Sequence, residues 1–529
     1  MKILTHPAML ALGVATLCLL MLIGPLVSPY HTTVYHLGGS ALSIFVPVLI
    51  NLCVVWFAFT LLLWFARKPG WLHIIVWSSL VVLLPWITLK NWFAITNEPM
   101  PYWFRVLGML SPLFICVIAL LSLRVSFAPL FQKIQGFLEL LLGFVSLSAL
   151  VVVCQLLWFA WRACDLNTPL PFHRRQSAVV TASSKPRIIW ILLDELSYQQ
   201  VYEQRFPGLH LPAFDQLADQ STVLTHVVPA GTFTEYVIPS LMNGLPADKI
   251  RVSADGRQLF LHNPKNDIWT PFDAHQTVFQ DALEKGYTTA VAGWYNPYCR
   301  ILSQVLDDCF WTNHVGEAGG MIPSQPIVWN AGQFAVRRLV LLLSRLSLTA
   351  HSSESQIQDA QFHQMDYRDL STASDELLTN PSINFVFLHM PIPHPAGIYD
   401  RNKAAFTTDR SSYIDNLALA DQYLSHIRAL LQQSGEWDST AVVVMGDHSW
   451  RTKLMWQQAS TWTTEDEAAS RGGQFDDRPA YIVKLPKQQK PARIDDRFDA
   501  VRTRALLDGI ITNSIKTPED LATWVRQQN

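Results

Sequence analysis

The 529-residue sequence predicts a five-helix transmembrane region at its N-terminus, followed by an α/β domain with a largely parallel central sheet. Three observations carry this. Half of the residues are hydrophobic and 16% are charged, against about 25% charged in an average soluble protein. Apolar runs long enough to cross a bilayer crowd into the first 163 positions. From about residue 187 onward, short strand-like apolar runs alternate with helical segments, the pattern of a parallel sheet covered by helices.

The apolar stretches lie near 8–28, 40–66, 72–94, 106–128 and 135–162; a span needs about 20 residues. A cleaved signal peptide would explain only the first. Lys2, Arg67, Lys68, Arg124 and Lys133 flank the runs so as to place the N-terminus and two loops in the cytoplasm. Five crossings then put everything after about residue 163 outside; Arg162, Arg174 and Arg175 run against the charge rule there. Trp71, Trp92, Trp103, Trp158 and Trp161 fall near span ends, where interfacial aromatics sit. Glu139 lies within the fifth run, close enough to its cytoplasmic end to reach the interface. Charge divides the same way. Residues 1–163 hold eight basic and two acidic residues, and the remainder holds 32 basic and 40 acidic ones. With no basic tract, nucleic acid is not an expected partner. The expected domains are 1–164 (membrane), 165–186 (a Pro/Ser/Thr-rich linker) and 187–529 (extracytoplasmic).

In the outer part, buried strands are expected at 187–193, 287–294, 383–389, 440–445 and 480–484, with helices at 275–285 and 411–433. Thr517, Pro518 and Asp520 spell the start of a last helix. Cys18, Cys53, Cys116 and Cys154 fall in the apolar runs and read as small hydrophobes. Cys299 and Cys309 are placed to form a disulfide in an oxidising compartment.

Ligand sites in such sheets lie beyond the carboxyl ends of the strands, and four polar clusters follow the expected strands. They are Asp194-Glu195, the run Gly231-Thr232-Phe233-Thr234-Glu235, the pair His389 and His394, and Gly446-Asp447-His448. Asp194, Asp447 and His448 supply hard oxygens and an imidazole, which suit zinc or manganese. A threonine hydroxyl in such a shell becomes an alkoxide nucleophile. A helix beginning at Thr234 would direct N–H groups toward an anionic substrate. Each cluster alone has an ordinary reading, as a turn residue, a helix cap or a proline-held histidine. Arg451 reads equally as an anion contact or as surface charge.

Taken in order, WILLDELSY, GTFTEYVIPSLMNG, LHMPIPHP, YIDNLALADQYLSHI and VVVMGDHSW resemble the blocks of the alkaline phosphatase/sulfatase superfamily. The whole layout resembles five-span phosphoethanolamine transferases and lipoteichoic acid synthases. The resemblance implies an alkaline-phosphatase-like (sulfatase-like) fold, with Thr234 as nucleophile. Asp194, Thr234, Asp447 and His448 become metal ligands, with Glu195 as the alternative to Asp194. His389 and His394 would meet substrate phosphate or a second metal. The cofactor would be a divalent metal, zinc ahead of manganese or calcium. Tyr236 and Ile238 stand where sulfatases carry Pro and Arg after their Cys or Ser, which argues against a formylglycine enzyme. No His follows position 448, which weakens a two-metal reading and leaves the leaving-group acid unassigned.

The expected protein is a multi-pass enzyme of a bacterial inner membrane with a periplasmic C-terminal domain. It would pass a phospho-head-group such as phosphoethanolamine from a phospholipid donor, through a phosphothreonine, to a lipid or glycan acceptor of the envelope. The alternatives are a phosphodiesterase, phosphatase or sulfuric ester hydrolase that uses water, and a non-catalytic membrane lipid sensor.

Overall fold

The computed structural model describes residues 4–27, 35, 41–96, 101–124, 126–164, 185–253, 258–315, 326–344, 353–459 and 461–527. All but the last two residues of the expected linker lie outside these. The chain forms two compact units. One comprises Met1–Thr168, Ala254–Gly256 and Glu317–Ser355; the other comprises Pro169–Ser253, Arg257–Gly316 and Gln356–Asn529. The N-terminal unit thus takes in a segment that the sequence assigns to the outer domain.

In that unit the helices are Pro7–Val27, Ala41–Phe65, Trp71–Thr96, Tyr102–Met109, Ser111–Ser122 and Ala128–Cys164, with Ile327–Ser344 from later in the chain. Among the described residues, three segments are long and apolar enough to cross a membrane: Phe45–Phe65, Trp71–Phe93 and Ala128–Trp158. Pro7–Cys18 and Ser111–Ser122 are shorter apolar helices. The fourth expected span is broken near Leu110, because Pro112 stands in the first turn of the second helix. A proline there has no N–H to carry the preceding helix onward. The packed faces are apolar, from Leu10, Val14, Trp77, Leu80 and Leu142. The outward faces are apolar too: Val54, Phe57, Trp64, Leu120 and Leu150 are exposed. Helices that are apolar all round belong in a membrane or a large core.

The second unit is built on an eight-stranded sheet. Its order is Ala492–Asp499, Thr222–Val228, Tyr481–Lys484, Ala441–Met445, Ile188–Leu193, Phe385–Met390, Thr289–Trp294, Asp308–Thr312. Tyr481–Lys484 runs antiparallel to both neighbours and every other pairing is parallel. The central strand IIWILL is buried on both faces, as a strand covered by helices on each side must be. Trp190 packs on Phe387 with ring centroids 4.2 Å apart. Pairing aligns Leu192 with both His389 and Met445. Whatever follows these strands therefore collects at one sheet edge. A separate three-stranded sheet comprises Lys249–Val252, Leu259–Asn263 and Ile268–Pro271.

Helix Tyr413–Gln433 opens on a capping box between Ser412 and Asp415, and Pro518–Arg526 opens on one between Thr517 and Asp520. The expected helix 275–285 is a 3-10 turn, Ala274–Gln276, followed by Val278–Glu284. Cys299, in helix Tyr298–Ile301, is disulfide-bonded to Cys309 in strand Asp308–Thr312, with Cα atoms 5.5 Å apart.

Arg187, just before the central strand, is buried. Its guanidinium donates to the carbonyls of Leu378, Asn380 and Ile383 and pairs with Glu436 at 2.7 Å. Removing it leaves these buried acceptors without a donor. Arg187→Ala is expected to destabilise the protein by roughly 3 kcal/mol, read from denaturant or thermal unfolding in detergent. A loss below about 1 kcal/mol would place Arg187 among ordinary surface pairs.

Candidate active site

Thr234 is the first residue of helix Thr234–Asn243, and Phe233 before it is extended. The Thr234 side chain is therefore free of capping duty and turns into the sheet edge. Its hydroxyl lies 2.8 Å from Asp447 Oδ2, 3.2 Å from Asp194 Oδ2 and 3.4 Å from His448 Nε2. All four residues are buried. Thr232, two residues earlier, is exposed and bonds instead to the Tyr236 hydroxyl at 2.8 Å.

Gly446 lets the two strand ends come together. A Cβ on it would meet the Leu196 carbonyl at 2.7 Å and the Leu196 nitrogen at 3.1 Å. Only glycine fits where the chain after Asp194 passes this close. Asp447 Oδ1 accepts from the Glu195 N–H at 3.1 Å, tying the two acidic turns to each other.

Asp194, Asp447 and His448 each offer a ligand atom within 4.8 Å of the others, and so do Asp194, Glu195 and His394. The first group fits a divalent ion. Two buried carboxylates and an imidazole converge on one hydroxyl, and Asp194 Oδ1 has no hydrogen-bond partner. Such an arrangement calls for a cation. Burial raises the Asp447 pKa, but His448 and His389 outweigh it and hold the carboxyl well below the usual range. Burial likewise opposes charge on His448, and Asp447 outweighs that, leaving its pKa raised.

Glu195 has another engagement. It follows Asp194 with a positive φ of 62°, which carries its side chain away from Thr234. There it accepts from Arg451 Nε at 2.6 Å and from Trp456 Nε1 at 2.9 Å. Its backbone carbonyl accepts from the Tyr413 hydroxyl at 2.8 Å. Arg451 is thus a buried partner and not surface charge. Burial disfavours its charged form, and the nearby Glu195, Asp194 and Asp447 more than restore it. Arg451 also donates to the Thr232 carbonyl at 3.2 Å, fixing the loop that delivers Thr234.

His389 Nε2 lies 3.4 Å from Asp194 Oδ2, and its Nδ1 is 2.6 Å from the Tyr298 hydroxyl. Tyr298 occupies a slot left by Gly293, where an added Cβ would come within 2.2 Å of its ring. The sequence reading missed Tyr298; only its neighbour, Cys299, drew notice. His394 Nε2 stands 3.9 Å from Glu195 Oε1, with Trp294 and Trp456 both at 5.1 Å between ring centroids. Its loop is held by Asn416, which donates to the carbonyls of His394 and Ala396 and accepts from the Ile398 N–H. Burial lowers the His394 pKa.

No curated protein matches the chain. Similar solved structures include the lipoteichoic acid synthase LtaP from Listeria monocytogenes, at 14% identity and TM-score 0.37, with 64% of this chain and 74% of that one covered. The PsFucS1 sulfatase from Pseudoalteromonas sp. is similar at 15% identity and TM-score 0.37, covering 67% and 71%. The phosphonate monoester hydrolase of Agrobacterium radiobacter is similar at 13% identity and TM-score 0.35, covering 62% and 74%. The Sulfatase family model matches residues 186–481, more than half of the chain. The chain therefore belongs to the sulfatase family of the alkaline phosphatase superfamily, whose members are metal-dependent hydrolases or phosphotransferases.

Proposed function

We propose that the protein is a membrane-anchored transferase that moves a phospho-head-group from a phospholipid to a lipid or glycan acceptor of the bacterial envelope. One observation carries this: the Thr234 hydroxyl stands at a helix N-terminus within hydrogen-bond reach of Asp194, Asp447 and His448. Asp194, Thr234, Asp447 and His448 are the residues that would hold the metal, zinc by preference. When bound there, a divalent metal supplies positive charge that favours the ionised form of the hydroxyl.

Thr234 Oγ then attacks the donor's phosphorus. The bond from phosphorus to the diacylglycerol oxygen breaks, and that oxygen takes up a proton. The head group remains on Thr234 as a phosphothreonine diester. An acceptor hydroxyl attacks the same phosphorus, loses its proton, and restores Thr234. The N-terminal dipole of helix Thr234–Asn243 favours the phosphoryl charge. His389, steadied by Tyr298, and His394, between two tryptophans, are placed to orient the phosphoryl oxygens.

The apolar helices of the N-terminal unit support a multi-pass membrane protein, and the Cys299–Cys309 disulfide supports a periplasmic catalytic domain. Phe233, beside the nucleophile, and Leu454 and Met455, after Arg451, are exposed. They give the site an apolar fringe suited to a lipid donor. Membership of the sulfatase family favours a second reading, in which water is the acceptor and the same Thr234 adduct is hydrolysed. A formylglycine sulfatase is disfavoured, because Thr234 stands where the modified residue would be.

Incubated with phospholipid, the wild-type protein is expected to gain a head-group mass on Thr234, read by intact mass and peptide mapping. Thr234→Ala should lose the adduct and turnover while keeping its fold, since its hydroxyl bonds only to the side chains of Asp194, Asp447 and His448. Thr232→Ala should keep both. An adduct that survives Thr234→Ala would overturn the covalent mechanism.

Metal analysis separates the two candidate ligand groups, which share Asp194. Asp447→Ala is expected to lose bound metal, because one of four ligands is gone. Glu195→Gln should keep it. Full metal content in Asp447→Ala, or loss confined to Glu195→Gln, would move the site to the Asp194, Glu195 and His394 group.

A further inference from the structure

The segment between strand Asp308–Thr312 and helix Ser353–Thr379 arises inside the catalytic part of the sequence, yet it packs with the N-terminal unit. Its helix, Ile327–Ser344, lies against helix Ala41–Phe65. The contact is anchored by Asn51, whose amide donates to the Ala331 carbonyl at 3.2 Å and to the Pro47 carbonyl at 2.8 Å. Asn51 lies six residues inside the apolar segment Phe45–Phe65, about 9 Å along the helix axis. At that depth an amide needs protein acceptors, because hydrocarbon offers none.

Over residues 327–336 the two faces of this helix differ in burial and neither is charged; Arg337 and Arg338 follow in the same helix. Asn330, Ala331 and Phe334 are buried. Val328, Trp329 and Val336 are 81%, 58% and 61% exposed, and no charged residue occurs between 327 and 336. A helix packed at a water-facing surface would turn a polar face outward. We infer that the first part of this helix, residues 327–336, is embedded in bilayer hydrocarbon beside helix Ala41–Phe65, with Val328, Trp329 and Val336 against lipid tails and the embedded stretch ending before Arg337 and Arg338. The catalytic part of the chain thereby carries its own membrane-inserted element, separate from the N-terminal apolar runs. Among the described residues nothing covers that face, and its depth against Ala41–Phe65 selects lipid as the occupant.

The inference rests on the membrane reading of the N-terminal unit and holds whether the acceptor is an envelope molecule or water. The test uses the full chain in lipid nanodiscs, with the five cysteines outside the disulfide replaced. Single spin labels are placed at Val328→Cys and Val336→Cys, both exposed enough to spare the fold. Phe57→Cys, on the outward face of helix Ala41–Phe65, reports hydrocarbon, and Lys403→Cys reports water. Labels at 328 and 336 are expected to favour oxygen over a water-soluble nickel chelate several-fold, as at 57 and opposite to 403. Accessibility matching 403 while 57 reads hydrocarbon would overturn the inference. A water-like reading at 57 as well would overturn the membrane reading itself. Spin–spin broadening at 328 that vanishes on dilution with unlabelled protein would assign the face to a second copy and overturn the lipid contact.

Discussion

Two carboxylates, Asp194 and Asp447, are buried together at the edge of one sheet, and much of the catalytic unit is arranged around that repulsion. Parallel pairing of the central strand with both neighbours forces the two acids to the same edge. Glycine at 446 lets the turns interleave. A backbone N–H, a histidine and a threonine hydroxyl share the negative charge without cancelling it. A cation would complete such a cluster, in keeping with the metal dependence of the family.

The second acidic residue, Glu195, shows how a neighbouring carboxylate is given a different task. A left-handed backbone step turns it away from the hydroxyl, Arg451 neutralises it, and Trp456 donates a further hydrogen bond. That pair holds the loop before Thr234 through the Thr232 carbonyl. One residue thus carries charge toward the nucleophile, and the next carries structural order to the loop that presents it.

What could be read from the sequence depended on whether position alone implied environment. IIWILL and AVVVM are uninterrupted apolar runs, so their strands and the acids beyond them were legible. Ala492–Asp499 was not, because ARIDDRFD alternates charge with few apolar residues at the sheet's edge. Thr222–Val228 was missed because two threonines and His226 break up its apolar residues, and Asp308–Thr312 because it is short and mixed in polarity. The apolar run at 106–128 read as one span because hydropathy is blind to the backbone donor that Pro112 lacks. Thr234, Asp447 and His448 could be singled out by chain order. The Arg451–Glu195 pair and the Tyr298–His389 contact could not, since each joins residues far apart in the chain through side-chain direction alone. Nor does the composition of Ile327–Ser344 announce that it packs against helix Ala41–Phe65; contacts such as the bond from Asn51 to the Ala331 carbonyl do.

The disulfide between Cys299 and Cys309 clips the short helix bearing Tyr298 to the neighbouring strand. Tyr298 in turn braces the imidazole that faces Asp194. In a reducing compartment the two cysteines remain thiols, and the clip between the short helix and the strand is absent. Neither cysteine touches the carboxylates of the acidic cluster, so the disulfide bears on the imidazole beside them through Tyr298. For a domain that reaches an oxidising compartment, as proposed above, thiol oxidation would be the step that completes the brace on His389.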